Sequence, residues 1–178
     1  MNIKNFNDWL LSKKKQSLIM GILNVTPDSF SDGGKYLEKN IAINHALEMI
    51  DEGADIIDIG GESTRPFSDP VSLKEEISRV VPVIEGIRKK SDICISIDTT
   101  KSQVATAALN SGASVINDVS AMEVDPLMVD VALKFDCPLI IMHMKGTPKN
   151  MQDDPQYESL ISDIKDYLLD RVDFIISK

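Results

Sequence analysis

Five places in this 178-residue sequence set polar side chains directly behind short apolar runs. Asn24 leads into Thr26-Pro27-Asp28-Ser29-Phe30-Ser31-Asp32-Gly33-Gly34, and a second run leads into Gly60-Gly61-Glu62-Ser63-Thr64-Arg65-Pro66. The other three runs end in Asp98-Thr99-Thr100-Lys101, Asn117-Asp118 and His143-Met144-Lys145-Gly146. Asp and Asn offer hydrogen-bond acceptors and amide donors, while Arg and Lys offer positive charge. Gathered in one place, these groups would line a polar pocket for a small substrate.

The elements between them say where that place is. Residues 18–25, 54–59, 93–97, 114–119 and 138–142 are rich in Ile and Val and lack polar alternation, as strands buried on both faces do. Helix signals separate them. Asn40 is read as the cap of a helix with Ile43, Ala46, Leu47 and Ile50 on one face, closed by Gly53. Ser72 and Glu75 form a capping box ahead of Ile77, Val80, Val81, Ile84 and Ile87, with Pro82 removing one hydrogen bond and bending that helix. Val104, Ala107 and Ala108 lie in a helix over 101–111 that Gly112 ends, and Asp125-Pro126 opens the next. A last helix over 157–177 turns Leu160, Ile164, Leu168 and Ile175 inward. Strand and helix alternating five times predict a parallel sheet with right-handed crossovers, in which all strand C-termini share one face. Open sheets and barrels alike keep their sites there. Neither G-x-G-x-x-G nor G-x-x-x-x-G-K-[ST] is present, which weakens a nucleotide-binding open sheet.

The balance of 19 basic and 28 acidic residues gives a net charge of −9, which argues against a nucleic-acid or anionic-membrane surface. No apolar run reaches the roughly 18 residues of a membrane span. Residues 1–16 lack the apolar stretch of a signal peptide and are read as an extension to one domain over 17–178. Cys94 and Cys137 sit in apolar runs, as buried thiols of a cytoplasmic protein do.

Plainer roles exist for several of the polar groups. Asp118 and Thr100 are read first as turn or cap residues, and Asp58 and Glu62 as partners in internal hydrogen bonds. His143, between two methionines, stands open between a packed core histidine and a site residue, while His45 belongs on a helix surface. Two histidines so far apart define no metal site. Lys13-Lys14-Lys15 is read as a solvated face, and the 26–34 loop, long and polar, as a mobile cover.

The stretch Met20-Gly21-Ile22-Leu23-Asn24-Val25-Thr26-Pro27-Asp28-Ser29-Phe30-Ser31-Asp32-Gly33-Gly34 resembles the first-loop signature of the dihydropteroate synthase family. Asp58-Ile59-Gly60-Gly61-Glu62-Ser63-Thr64-Arg65-Pro66 resembles its second. Ser96-Ile97-Asp98-Thr99, Ile116-Asn117-Asp118-Val119 and Met142-His143-Met144-Lys145-Gly146-Thr147-Pro148 match the next three in order, so the likeness runs from Ser17 onward. It implies an α/β fold of the (β/α)8 TIM-barrel type, with five of the eight units present. It further implies condensation of 6-hydroxymethyl-7,8-dihydropterin diphosphate with 4-aminobenzoate, releasing pyrophosphate and giving dihydropteroate for folate synthesis. By the family pattern Asp98 and Asn117 hold the pterin, with Met142 packed on its ring. Asn24 helps bind Mg²⁺ on the diphosphate, and Thr64 and Arg65 face the 4-aminobenzoate, the substrate that sulfonamides resemble. Asp28, Phe30 and Asp32 lie on the loop that closes over the site. The resemblance thus gives Asp98, Asn117, Arg65 and Asp32 as the catalytic set.

Three departures accompany the likeness. A complete barrel needs about 250 residues, and the family's further pterin Asp, bridging Lys and pyrophosphate-binding Arg and His have no counterpart here. The last helical pattern stops without a glycine cap and reads as a cut. Phe67 stands where the family has Gly, which predicts strain of about 1 kcal/mol or more if that position needs positive φ. The family's dimer helices fall in the missing part, so a homo-oligomer is not carried over. A pterin-binding fragment without turnover is the first alternative, and a methyltetrahydrofolate methyltransferase the second, disfavoured by the 28–34 and 63–66 motifs.

Overall fold

The computed structural model describes residues 1–26, 34–62, 70–147, 150–151 and 153–178, with backbone alone for 34–38. Helix α1 (Ile3–Leu11) precedes β1 (Met20–Asn24), α2 (Gly34–Asp51), β2 (Ile56–Gly60), α3 (Leu73–Arg88) and β3 (Cys94–Asp98). Helix α4 (Ser102–Asn110), β4 (Val115–Asp118), α5 (Met128–Phe135), β5 (Leu139–Ile141) and α6 (Leu160–Ile176) follow. The five strands are parallel and pair in chain order, β1 to β5, as one arc of a barrel wall.

Alternation along each strand assigns two faces. Leu23, Ile57, Ile59, Ile95, Ile97 and Ile116 point outward into the main core, against Ala42 and Ile43 of α2, Val80, Val83, Ile84 and Ile87 of α3 and Val104 and Ala108 of α4. The inner face is layered by register. Met20, Ile56 and Cys94 form the lowest row, and α1 closes this end by packing Phe6 on Ile56, Cys94 and Val115. Met1 ties the same end, its ammonium donating to the Asp55 carbonyl at 2.9 Å and its own carbonyl accepting from the Cys94 N–H at 2.7 Å. Above lies the row Ile22–Asp58–Ser96–Val115. Ile22 faces inward yet is 54% exposed, because β1 has no outer neighbour among the described residues. The inner surface is therefore open beside both edge strands.

Helix boundaries follow local chemistry, with some corrections to the sequence reading. Gly53 (φ +109°) and Gly112 (φ +112°) close α2 and α4 in backbone that other residues resist, as expected. Asn40 does not cap α2; it lies within a helix that begins at Gly34. Periodicity shows only the packed half of that helix, from Ala42 on, because the first half carries Lys35, Glu38 and Lys39 in place of an apolar stripe. Ser72 caps α3, its hydroxyl accepting from the Glu75 N–H at 3.3 Å, whereas the Glu75 carboxylate turns to Arg79 at 2.6 Å. Helix α3 runs through Pro82 without a break. Asp125 does not open α5 directly, which starts at Met128; its carboxylate accepts from Leu127 N–H at 3.2 Å and caps α4 by accepting from Ser102 N–H at 2.8 Å. Helix α6 begins at Leu160 and buries none of its side chains fully; Leu160 is 52% exposed, while Phe174 and Ile175 touch the core. The Lys15 ammonium is not free in solvent: it bonds the Trp9 and Leu10 carbonyls at 2.5 and 2.6 Å and so caps α1. No helix among the described residues is long and apolar enough to cross a membrane.

Candidate active site

The top inner row joins four strand ends in register: Asn24 beside Gly60, Gly60 beside Asp98, Asp98 beside Asn117. Three of the polar residues singled out from sequence therefore stand side by side on one face, at the end of the sheet where ligands bind. Gly60 leaves a slot between them. A Cβ there would lie 3.4 Å from Asn24 Oδ1 and 3.6 Å from Asp98 Oδ2, so the glycine keeps open the space between amide and carboxylate. Met142 follows β5 at the same end, half-buried, and alternation from Ile141 turns it inward.

Beneath this row Asp58 is 3% exposed. Its Oδ2 accepts from Asn117 Nδ2 at 3.0 Å, while its Oδ1 and the neighbouring Ser96 hydroxyl have no protein partner. That bond fixes the Asn117 amide, with Nδ2 toward Asp58 and the carbonyl oxygen left as an acceptor for the pocket. The internal-bonding role expected for Asp58 is what the structure shows. Burial raises the Asp58 carboxyl above its ordinary range, and the nearby Ser96 hydroxyl, short of a hydrogen bond, and the bond from Asn117 offset part of the rise. Asp98 is pushed further, to about 7, first by burial and then by the negative charges of Asp58, Asp118, Glu76 and Glu62. A carboxyl poised there has a strong appetite for a proton or for N–H donors.

Asp118 is a turn residue, as expected: it is buried and accepts from the Ser120 N–H and hydroxyl and from Met122 N–H at 2.7–3.0 Å. Glu62 is also internal, with Oε1 accepting from Val71 N–H at 2.9 Å and Oε2 held by Lys101 at 2.7 Å. The Lys101 ammonium further bonds Glu76 at 2.6 Å and the Val71 carbonyl at 2.7 Å. Burial works against its charge, but the two carboxylates outweigh that and hold it above the ordinary lysine range. Glu76 and Lys101 escaped the sequence reading as a pair. Glu76 did leave a signal, since it falls on the buried stripe of α3 with Val80, Val83 and Ile87, where a carboxylate demands a partner.

His143 packs edge-on against Tyr167, ring centroids 5.0 Å apart, and His45 lies on the surface of α2 beside Glu48. Cys94 and Cys137 are free thiols, each raised to about 11 by burial. Asp28, Phe30, Asp32, Thr64, Arg65 and Phe67 lie outside the described residues, as does the 27–33 loop read as a cover. Among the described residues no group of three or more His, Cys, Asp or Glu side chains is placed to hold a metal. Asn24 Oδ1, a hard oxygen at the open slot, suits a Mg²⁺ that takes its remaining ligands from phosphate and water.

Parallel strands in chain order, outer helices and a polar row at the strand C-termini define a barrel-type α/β protein whose ligand end carries an amide, a poised carboxyl and a second amide. The chain belongs to the family of pterin binding enzymes, whose model matches residues 20–177. It is 50% identical over 162 residues to the dihydropteroate synthase of Bacillus subtilis, covering 91% of this chain and 54% of that protein. A Yersinia pestis dihydropteroate synthase solved with a sulfonamide drug superposes with a TM-score of 0.82 at 44% identity, over 90% of this chain and 58% of the other. A Xanthomonas albilineans dihydropteroate synthase with 4-aminobenzoic acid gives 0.83 at 40% identity, over 91% and 57%. The chain thus spans about half the length of the relatives it matches.

Proposed function

We propose that the chain acts as a dihydropteroate synthase, joining 6-hydroxymethyl-7,8-dihydropterin diphosphate to 4-aminobenzoate with loss of pyrophosphate. The in-register row Asn24–Gly60–Asp98–Asn117 carries this reading. A pterin presents N–H donors along one edge and acceptors beside them. Asp98 supplies the acceptor for the donors, and Asn117 the oriented amide that Asp58 holds. Met142 offers an apolar flank for the ring. Departure of pyrophosphate leaves positive charge spread over the dihydropterin. Four carboxylates around Asp98 supply a fixed negative field where that charge develops, so little reorganisation is needed at the moment of reaction. Asn24 would hold the magnesium ion, which when bound neutralises charge on the leaving diphosphate. Thr64 and Arg65 would receive the carboxylate of 4-aminobenzoate, where a sulfonamide would compete, while Asp28, Phe30 and Asp32 would close the site. Two free thiols, Cys94 buried and Cys137 only half-buried where the sequence suggested burial, fit a cytoplasmic setting.

The test incubates the purified chain with dihydropterin diphosphate, 4-aminobenzoate and Mg²⁺, and measures dihydropteroate by chromatography alongside pterin binding by calorimetry. Synthesis that disappears in Asp98→Asn supports the reading. Pterin binding without synthesis would make the chain a binding module, and absence of both would overturn the assignment.

A further inference from the structure

One hydrogen bond beneath the polar row crosses a whole strand. Asp58 belongs to β2 and Asn117 to β4, and β3 lies between them. Gly60, Asp98 and Asn117 are register partners, whereas Asp58 pairs with Ser96 one inward row lower. The Asp58 carboxylate nonetheless accepts from Asn117 Nδ2 at 3.0 Å. Neighbouring strands lie about 4.8 Å apart, so the two side chains together bridge two such spacings, passing Ser96. Only a small side chain at 96 leaves that path open.

Among the described residues this amide is the one donor that Asp58 has. Its Oδ1 is without a partner, and so is the fully buried Ser96 hydroxyl nearby. An ionised carboxylate only accepts. Reversing the Asn117 amide would set its carbonyl oxygen against Asp58 Oδ2, remove that bond and leave a buried charge with no donor. The amide is thus held one way round. Beside it in register stands the Asp98 carboxyl, so the row offers two acceptors side by side. A ligand edge answers that pattern when an amine and a ring N–H lie together on it. A ring carbonyl in the amine's position would meet Asn117 Oδ1 oxygen to oxygen.

We infer that Asp58 is a specificity-determining residue acting through Asn117: by fixing that amide, it makes the pocket select a 2-amino ring over the otherwise identical 2-oxo ring. The inference rests on the synthase reading for the pterin class of ligand. It adds which feature of that ligand the chain tests and which buried side chain sets the test. Asp58 touches no ligand in this account and is a positioning residue. A site built to accept from an N–H rejects the analogue that lacks it far more strongly than an apolar pocket rejects a change of shape, because a buried acceptor is left facing another.

The experiment measures by calorimetry the affinity of the full chain for 6-hydroxymethyl-7,8-dihydropterin and for 6-hydroxymethyl-7,8-dihydrolumazine, which carries a carbonyl in place of the 2-amino group. Asp58→Asn is nearly isosteric, and its amide can donate to the Asn117 carbonyl, so both orientations become available. Ser96→Ala is the control: it removes a hydroxyl that makes no bond and keeps the path open. Wild type should prefer the pterin by about a hundredfold or more, and Ser96→Ala should hold that preference to within about threefold. Asp58→Asn should lose at least about tenfold of it, chiefly by gaining affinity for the lumazine. Should Asp58→Asn fail to fold by circular dichroism, Asp58→Ser, too short to reach Asn117, takes its place with the same expected loss. Equal weakening of both ligands, with the preference intact, makes Asp58 merely structural and overturns the proposal. A wild type that binds both ligands alike overturns it too, as does Ser96→Ala losing the preference as fully as Asp58→Asn; the synthase reading survives all three results. A wild type that binds neither ligand overturns the synthase reading, and the inference with it.

Discussion

Asp98→Asn should make the protein more stable at pH 8 than at pH 5, relative to wild type, while abolishing pterin binding. The Asp98 carboxyl moves from an ordinary value of 3.8 to about 7 on folding. The folded chain therefore holds a proton that the unfolded chain has released throughout that interval. Stability falls as pH rises through it and levels off above about 7. Each unit is worth about 1.4 kcal/mol, and roughly two of the three units lie above pH 5. Allowing for the partial access of water to Asp98, the wild type should lose ~2 kcal/mol between pH 5 and pH 8 from this group. The amide of the variant does not titrate and forgoes that loss. Urea unfolding followed by circular dichroism, on both proteins at both pH values, gives the difference directly, and the comparison removes the similar contributions of Asp58 and Asp118, whose carboxyls burial also raises. A stability gap between variant and wild type that is the same at pH 5 and pH 8 would refute the reasoning, because the acidic surroundings of Asp98 would then carry no cost.

The same carboxyl sets the pH dependence of binding. If the pterin edge needs the ionised form, affinity should weaken roughly tenfold per unit below about pH 7, and calorimetric affinities equal at pH 8 and pH 6 would contradict this. Gly61→Ala should cost about 1–3 kcal/mol by overpacking, since a Cβ would come within 2.8 Å of Val80 Cγ1 and 2.9 Å of Glu76 Cγ; a denaturation midpoint equal to wild type would show that α3 shifts freely. Phe6→Ala should cost about 3–5 kcal/mol by emptying the cluster that α1 forms with Ile56, Cys94 and Val115, and a thermal midpoint within about two degrees of wild type would show that α1 is not part of the cooperative fold.

The strands were legible because buried parallel strands leave runs of Ile and Val with no polar alternation, and all five stand where those runs lie. The polar row was legible for a related reason: a residue at the C-terminal end of such a run must lie on the ligand face, so Asn24, Asp98 and Asn117 could be grouped without any knowledge of their partners. Gly60 completes the row by what it lacks, and only the register shows that. Helix α1 was not legible. Its nine residues carry Asn, Asp and Lys around a single buried Phe6, and their task, covering the bottom of the inner face, depends on residues far along the chain. Asp125 was misassigned because a cap motif marks a free helix end without saying which helix. Its carboxylate serves α4, 23 residues earlier.

The acidic groups around Asp98 are the feature that fold stability alone leaves unexplained. Asp58, Asp118, Glu62 and Glu76 all raise its carboxyl, and a single ammonium, Lys101, is paired with the last two. Asp58 and Asp98 have no ion pair among the described residues, although polar neighbours in the interior could be replaced by packed side chains at less cost. A folded chain that carries such strain in its charges at the ligand end is one whose charges are completed by what binds. The ligand that completes them must bring N–H donors to Asp98 and must tolerate, or generate, positive charge. Under the proposed function, a dihydropterin losing a diphosphate would do both, and the negative charges around Asp98 would favour its reaction.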